Sequence, residues 1–336
     1  MSNKIAIFAL LVCALTITTA RLSCLSKQGG SVDWFSLLKY PGDMTTRAPR
    51  YAYLDPRSGS SYQVITGALS DHRGQPLPNT IEAINSIPQA KLSVLLFNDQ
   101  PPTAASNSRG AHAKGIIAFD SSTQTGVYIL HSMPKFPSLN GDGATISIKI
   151  PESALKYGQH VYCVSLDRES IGHVMSNIPL MKPIIYHSTG MFKSLPAKGK
   201  EHFLVSQFHL PNGEDQWFLT KNPSFSGFLF EDVVSTYFGV NLATESWGRP
   251  YQGPHCSRLH SVNILKVAIN GQDQWKNTND HSKWTVSTGA SGIKVACLCD
   301  MNRMNSQGSR GGSCLCSRSA NLHRALSNII KETDHC

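Results

Sequence analysis

Two short stretches of this chain carry the same pair of side chains at the same spacing: His112-Ala113-Lys114 and His281-Ser282-Lys283. Each precedes or enters a β-like run, and on an extended strand residues two apart project to the same side. Each histidine and its lysine are therefore expected to point together into one cavity. Two such segments face to face would assemble two imidazoles and two ammonium groups. That set suits phosphodiester cleavage without a metal or other cofactor, because a neutral imidazole can attack phosphorus and form a phosphohistidine. A second, protonated imidazole can donate to the leaving oxygen, while the lysines neutralise charge on the non-bridging oxygens. The need for one neutral and one protonated histidine implies activity on the acid side of neutrality. With thirteen histidines in the chain, two His-x-Lys occurrences exceed chance only mildly, so the surroundings of the motifs must decide.

Those surroundings read as strands alternating loosely with helices, an α/β or mixed α+β sandwich. Apolar or alternating runs at 92–97, 113–119, 126–130, 146–150 and 161–166 predict strands in the first part. Runs at 203–208, 262–268, 283–286 and 293–299 predict them in the second. Helical spacing occurs at 80–87, 230–247 and 320–330, where Leu322, Leu326, Ile329 and Ile330 form one stripe. Residues 189–200, rich in Gly, Lys, Pro and Ser, make a connector. The expected organisation is a first half at 21–188 and a second at 189–336, each with one His-x-Lys.

Residues 1–20 have the layout of a secretory signal: Lys4, an apolar run, then small residues ending at Ala20. Eight cysteines follow it, an even number that implies disulfides in an oxidising compartment. Cys297-Leu298-Cys299 and Cys314-Leu315-Cys316 fit an antiparallel ladder, in which opposed positions keep a constant sum. A hairpin stapled by nested bridges Cys297–Cys316 and Cys299–Cys314 is the expectation, with a four-cysteine zinc site as the competing reading. The formal charge of +9 favours a polyanionic partner, nucleic acid foremost. No run of about 18 apolar residues implies a membrane span. The sequence leaves the oligomeric state open, a homodimer among the forms it allows.

The chain resembles the deoxyribonuclease II family almost from end to end of its mature part. The likeness is carried by Val32-Asp33-Trp34-Phe35, Tyr51-Ala52-Tyr53-Leu54-Asp55 and Phe97-Asn98-Asp99-Gln100-Pro101-Pro102, then by His112-Ala113-Lys114-Gly115 and His131-Ser132-Met133-Pro134-Lys135-Phe136-Pro137. Asp280-His281-Ser282-Lys283-Trp284, Cys299-Asp300-Met301-Asn302-Arg303 and Arg310-Gly311-Gly312 extend it. The resemblance implies a phospholipase D-like fold of two pseudo-symmetric halves whose motifs meet in one site. It also implies endonucleolytic cleavage of double-stranded DNA at acid pH, leaving 3′-phosphates, in a lysosomal or secreted protein. On that model His112, Lys114, His281 and Lys283 are catalytic, with His112 favoured as nucleophile. Asn302 and Ser132 are second-rank phosphate contacts, and His131 is divided between a structural hydrogen bond and substrate. The bridges implied are Cys24–Cys163, Cys256–Cys336 and Cys297–Cys316, which leaves Cys299 and Cys314 as an extra pair. Two positions depart from the family pattern: Ala113, where threonine is usual, and Cys299, where glycine is. A secreted DNA-binding or decoy protein of the same fold is the alternative. A phosphodiesterase or phospholipase acting on a small substrate is a third.

Overall fold

The computed structural model describes residues 21–42, 49–70, 74–103, 105, 110–197, 199–289 and 292–336. The expected signal at 1–20 lies outside them. A short ladder joins β1 (Cys24–Leu25) to β2 (Ser31–Val32). The first large sheet contains β3 (Trp34–Lys39), β4 (Arg50–Leu54), β5 (Gln63–Thr66), β6 (Leu92–Asn98), β7 (Lys114–Asp120), β8 (Thr125–His131), β9 (Gln159–Asp167) and β10 (Ile185–Ser188). It is antiparallel throughout, in the order β10-β6-β7-β8-β9-β3-β4-β5. The second contains β11 (Phe203–His209), β12 (Asp215–Lys221), β13 (Asn241–Glu245), β14 (Ser261–Ile269), β15 (Asp273–Lys276), β16 (Trp284–Thr288), β17 (Ala296–Cys299) and β18 (Gly312–Ser317). Its order is β11-β12-β18-β17-β16-β13-β14-β15, with β19 (Ile330–Thr333) added on β14. Only β13 and β14 run parallel. The fold is thus mixed α+β, dominated by two large sheets.

The sheets share a core. Trp34, Phe97, Tyr128 and Tyr162 of the first and Phe218, Trp284, Leu298 and Leu315 of the second belong to one buried cluster. Tyr128 meets Phe218 edge-on at 5.5 Å. The opposite faces are covered too, which explains the nearly continuous apolar strands. Ile117 and Phe119 of β7 face the shared core, whereas Ile116 and Ala118 join a second cluster with Leu77 and Ile81 of α1 (Pro76–Asn85). On the far side of the second sheet, a π-helical turn over Leu229–Ser235 covers Cys297, Cys299, Cys314 and Cys316.

All four disulfides are formed: Cys24–Cys163, Cys256–Cys336, Cys297–Cys316 and Cys299–Cys314. β17 and β18 pair in the register the cysteine spacing requires, Cys297 opposite Cys316 and Cys299 opposite Cys314. The zinc reading is excluded, since these sulfurs bond one another.

Three expectations about elements are corrected. The helix expected at 230–247 is a π-turn, then α4 (Thr236–Phe238), then strand β13. Gly239 at φ +66° stops the helix in the left-handed region that glycine adopts without steric cost. The run 146–150 alternates but is no strand: the Asn85 amide takes both backbone groups of Ile146, its N–H at 2.8 Å and its carbonyl at 2.8 Å. The long helix α3 (Arg168–Met181), not expected, follows the single turn α2 (Glu152–Leu155) and strand β9. Asp167 caps it by accepting from the Ser170 N–H at 2.8 Å. The helix α5 (Ala320–Asn328) closes on the stripe read for it, with Leu322 and Leu326 buried.

Candidate active site

Both His-x-Lys segments lead into central strands, β7 and β16, so each sheet delivers its motif at one strand end. Each backbone is pinned by the other sheet. The His112 N–H donates to the Gly311 carbonyl at 2.8 Å, and the His281 N–H donates to the Gly158 carbonyl at 2.9 Å. Ala111 and Gly311, and likewise Gly158 and Asp280, form isolated parallel bridges. Gly158 immediately precedes β9 and Gly311 immediately precedes β18. Close approach requires glycine at both points: a Cβ at Gly158 would strike the Asp280 carboxylate, and one at Gly311 the Met181 carbonyl.

The result is one cavity of about 240 Å³ whose wall includes His112, Lys114, His281, Lys283 and Asn302. A roomier, mostly apolar cavity of about 500 Å³ beside Tyr40 and Leu69 holds none of these groups. The Asn302 Oδ1 is buried without a hydrogen-bond partner among the described residues. The other two second-rank residues are not on the wall. Ser132 lies in the interior, donating to the Gln159 Oε1 at 2.5 Å and accepting from the His160 N–H at 2.9 Å. His131 is fully buried, edge-on to Phe136 at 5.2 Å, and neither ring nitrogen has a partner among the described residues.

The two motifs sit in unlike electrostatic settings. His112 Nδ1 donates to the Asp300 carbonyl; a neutral ring with its hydrogen there keeps the Nε2 lone pair free. The Lys114 ammonium donates to Asp99, whose other oxygen is 3.2 Å from the Arg310 guanidinium and 3.9 Å from His112 Nε2. Burial alone would raise the Asp99 carboxyl, but Lys114 and its other cationic neighbours override this and hold it well below the usual range. Lys283 has no such acid among the described residues. Its ammonium donates to the His281 carbonyl, and its N–H donates to His160 Nδ1 at 3.1 Å. Burial, then Lys114 nearby, pushes Lys283 down to about 7. Burial and the Lys283 charge push His281 down to about 3, and His112 falls well below 6.5 through burial and Lys114. Burial beside the lysines thus keeps both imidazoles neutral, and an incoming anion is what raises them.

Sequence reasoning missed several of these groups. Asp99 reads as a turn residue in Asn98-Asp99-Gln100-Pro101-Pro102, a role its neighbour Asn98 does fill by accepting from the Gln100 N–H at 2.9 Å. Trp247 reads as core yet lines the cavity, as does Tyr157, for which no local signal exists. Trp34 and Trp284 are core.

Neutral burial of histidine has a stability consequence. Burial pushes His131 down to about 3, against an unfolded value near 6.5. The unfolded chain therefore binds the extra proton between those limits. Stability from neutral burial is complete above pH 6.5 and drains away as pH falls toward 3. In urea unfolding at pH 7 and 4.5, His131→Leu is expected to lose less stability on acidification than wild type, by about 3 kcal/mol. Equal losses in the two proteins would count against a neutral buried His131.

Two sheets packed on a shared core, four disulfides, and a His/Lys pair from each sheet closing on one cavity define a class of secretory-type protein with a cationic, anion-sized pocket. The chain belongs to the deoxyribonuclease II family, whose model matches residues 23–336. It is 28% identical to Plancitoxin-1 of Acanthaster planci over 100% of both chains. It is 28% identical to Deoxyribonuclease-2-alpha of Rattus norvegicus, over 97% of this chain and 98% of the relative. It is 25% identical to Cell-death-related nuclease 7 of Caenorhabditis elegans, over 98% and 93%.

Proposed function

We propose that this protein is a metal-independent acid endonuclease that hydrolyses double-stranded DNA to 3′-phosphate products. The observation that carries the reading is the convergence of His112, Lys114, His281 and Lys283 on one cavity. His112 Nε2 attacks phosphorus while the P–O5′ bond breaks, and His281 gives its proton to the departing O5′. Water, deprotonated by His281, then attacks the phosphohistidine and releases the 3′-phosphate. Lys114 and Lys283 hold the non-bridging oxygens, with the Asn302 amide Nδ2 as a further donor on the same wall. Both His281 and Lys283 lose protons as pH rises, and burial beside Lys114 brings Lys283 down to about 7. Acid-side activity follows from both.

The topology supports a phospholipase D-like pair of halves, 21–188 and 189–336. The runs β6-β7-β8-β9 and β13-β16-β17-β18 are consecutive neighbours in their sheets, each with His-x-Lys leading into its second strand. The strand beyond them differs: β3 precedes its outer neighbour β4 in the chain, whereas β12 follows its outer neighbour β11. Four disulfides fit a secretory compartment, lysosomal or extracellular, and no helix among the described residues is long and apolar enough to cross a membrane.

The test is plasmid nicking from pH 4 to 8 in excess EDTA. Nicking at acid pH, lost in His112→Ala, is the expected result. DNA binding without nicking at any pH would overturn it in favour of a binding or decoy protein.

A further inference from the structure

The two histidines are held by different physics. His112 is anchored through a ring nitrogen to the Asp300 carbonyl. His281 has no hydrogen bond to either ring nitrogen from the described residues, although it is half-buried. What it has instead is aromatic faces. The Tyr157 ring lies parallel to the imidazole, centroids 4.3 Å apart and planes 7° apart. Trp247 meets the imidazole edge-on at 4.4 Å and 84°. Tyr157 and Trp247 also meet each other, at 5.0 Å and 80°, so the three rings form a closed triangle. Tyr157 comes from the chain preceding β9, and Trp247 from the chain following β13. The next residue after Tyr157 supplies the Gly158 carbonyl that takes the His281 N–H. Residues 157 and 158 therefore grip both the ring and the backbone of His281.

We infer that Tyr157 is a positioning residue, which with Trp247 orients the His281 imidazole by its faces and leaves both ring nitrogens free for substrate and proton. This rests on the reading of His281 as proton donor. A group that must change protonation state during turnover gains from this arrangement. A nitrogen committed to a carbonyl would fix one tautomer. An aromatic face fixes only the plane, and it also stabilises the imidazolium once the substrate phosphate has brought it into being. The Lys156 ammonium lies 5.2 Å from the Tyr157 ring centroid, which draws on the same ring electrons and ties the clamp to the outer surface.

The measurement is steady-state cleavage by Tyr157→Leu, Tyr157→Phe and Trp247→Leu, with urea midpoints to confirm folding. Misplacing a reacting group by an ångström costs about a hundredfold. Tyr157→Leu is therefore expected to lose about tenfold to a hundredfold in kcat with little change in KM, and Tyr157→Phe to recover most of that loss. Added to His281→Ala, Tyr157→Leu should cost nothing further. A loss confined to KM, equal losses in the Phe and Leu variants, or an undiminished loss in the His281→Ala background would overturn the clamp. If the wild-type protein does not cleave DNA, the nuclease reading fails while the clamp is still tested by NMR. The His281 ring protons must show ring-current shifts that collapse in Tyr157→Leu and persist in Tyr157→Phe; unmoved resonances would refute it. Trp247→Leu supplies the same comparison should Tyr157→Leu fail to fold.

Discussion

His112→Ala and His281→Ala are each expected to reduce DNA cleavage by about ten-thousandfold or more, and the double variant to be no slower than the worse single one. The two rings act on one phosphorus, one forming the P–N bond while the other protonates O5′, so losing either stops the same step. Lys114 and Lys283 remain in both variants, and DNA affinity at acid pH should survive. A change of leaving group separates the roles. With a p-nitrophenyl phosphodiester the departing phenolate needs no proton, so the penalty for removing the acid shrinks while that for removing the nucleophile does not. In the first-turnover release of p-nitrophenolate, His281→Ala should recover most of its loss and His112→Ala none, while later turnovers of His281→Ala stay slow for want of the base that activates water. The reverse pattern would exchange the two assignments. A double variant far slower than either single would mean that the histidines serve separate steps.

What the sequence discloses of this arrangement follows the range of the interactions involved. The strands β6, β7, β8 and β9 announce themselves because both faces are buried and their residues are apolar in unbroken runs. The β17–β18 register is written into four cysteines, since a covalent bond leaves a positional mark. The His-x-Lys pairs are visible because both side chains of each pair come from adjacent backbone. Tyr157 is different. Its place over His281 depends on the bridge between Gly158 and Asp280, a pairing of residues far apart in the chain that no local pattern encodes. Asp99 was hidden in another way. Its neighbours describe a loop correctly, but the lysine and arginine that turn it into a buried ion-pair acceptor arrive from 15 and 211 residues away. In α3, Ile171, Val174, Ile178 and Met181 do make a legible stripe, all buried. Gly172 and Pro179 obscured it, both unfavourable inside an ideal helix. The β13 misreading is the converse: Phe230 to Val234 has helical spacing and does form a turn, but Gly239 ends it and the chain continues as strand.

Asp99→Ala is expected to destabilise the protein by about 3–5 kcal/mol, the cost of leaving a buried charge without its counter-ion. Lys114 is 3% exposed and loses the carboxylate to which its ammonium donates. Arg310 keeps the Gly110 and Ala111 carbonyls at 3.2 and 2.7 Å, so the lysine bears most of the penalty. The pH dependence discriminates this from general loosening. Because the folded Asp99 carboxyl is held below its unfolded value, its contribution is complete above about pH 4 and fades only under stronger acid. The deficit of Asp99→Ala relative to wild type should therefore be the same at pH 7 and pH 5 in urea unfolding. That is the opposite of His131, whose contribution is already draining away over that interval. A deficit that changed markedly between pH 7 and pH 5 would mean that groups other than a carboxylate held below its ordinary range account for the loss, and would remove the ion pair as its cause. A deficit that holds is the result expected of an ion pair that keeps the Lys114 ammonium fixed in place across the acid range in which the proposed chemistry runs. Activity should fall in the same variant, through Lys114, whose ammonium would no longer be held beside the scissile phosphate by a fixed partner.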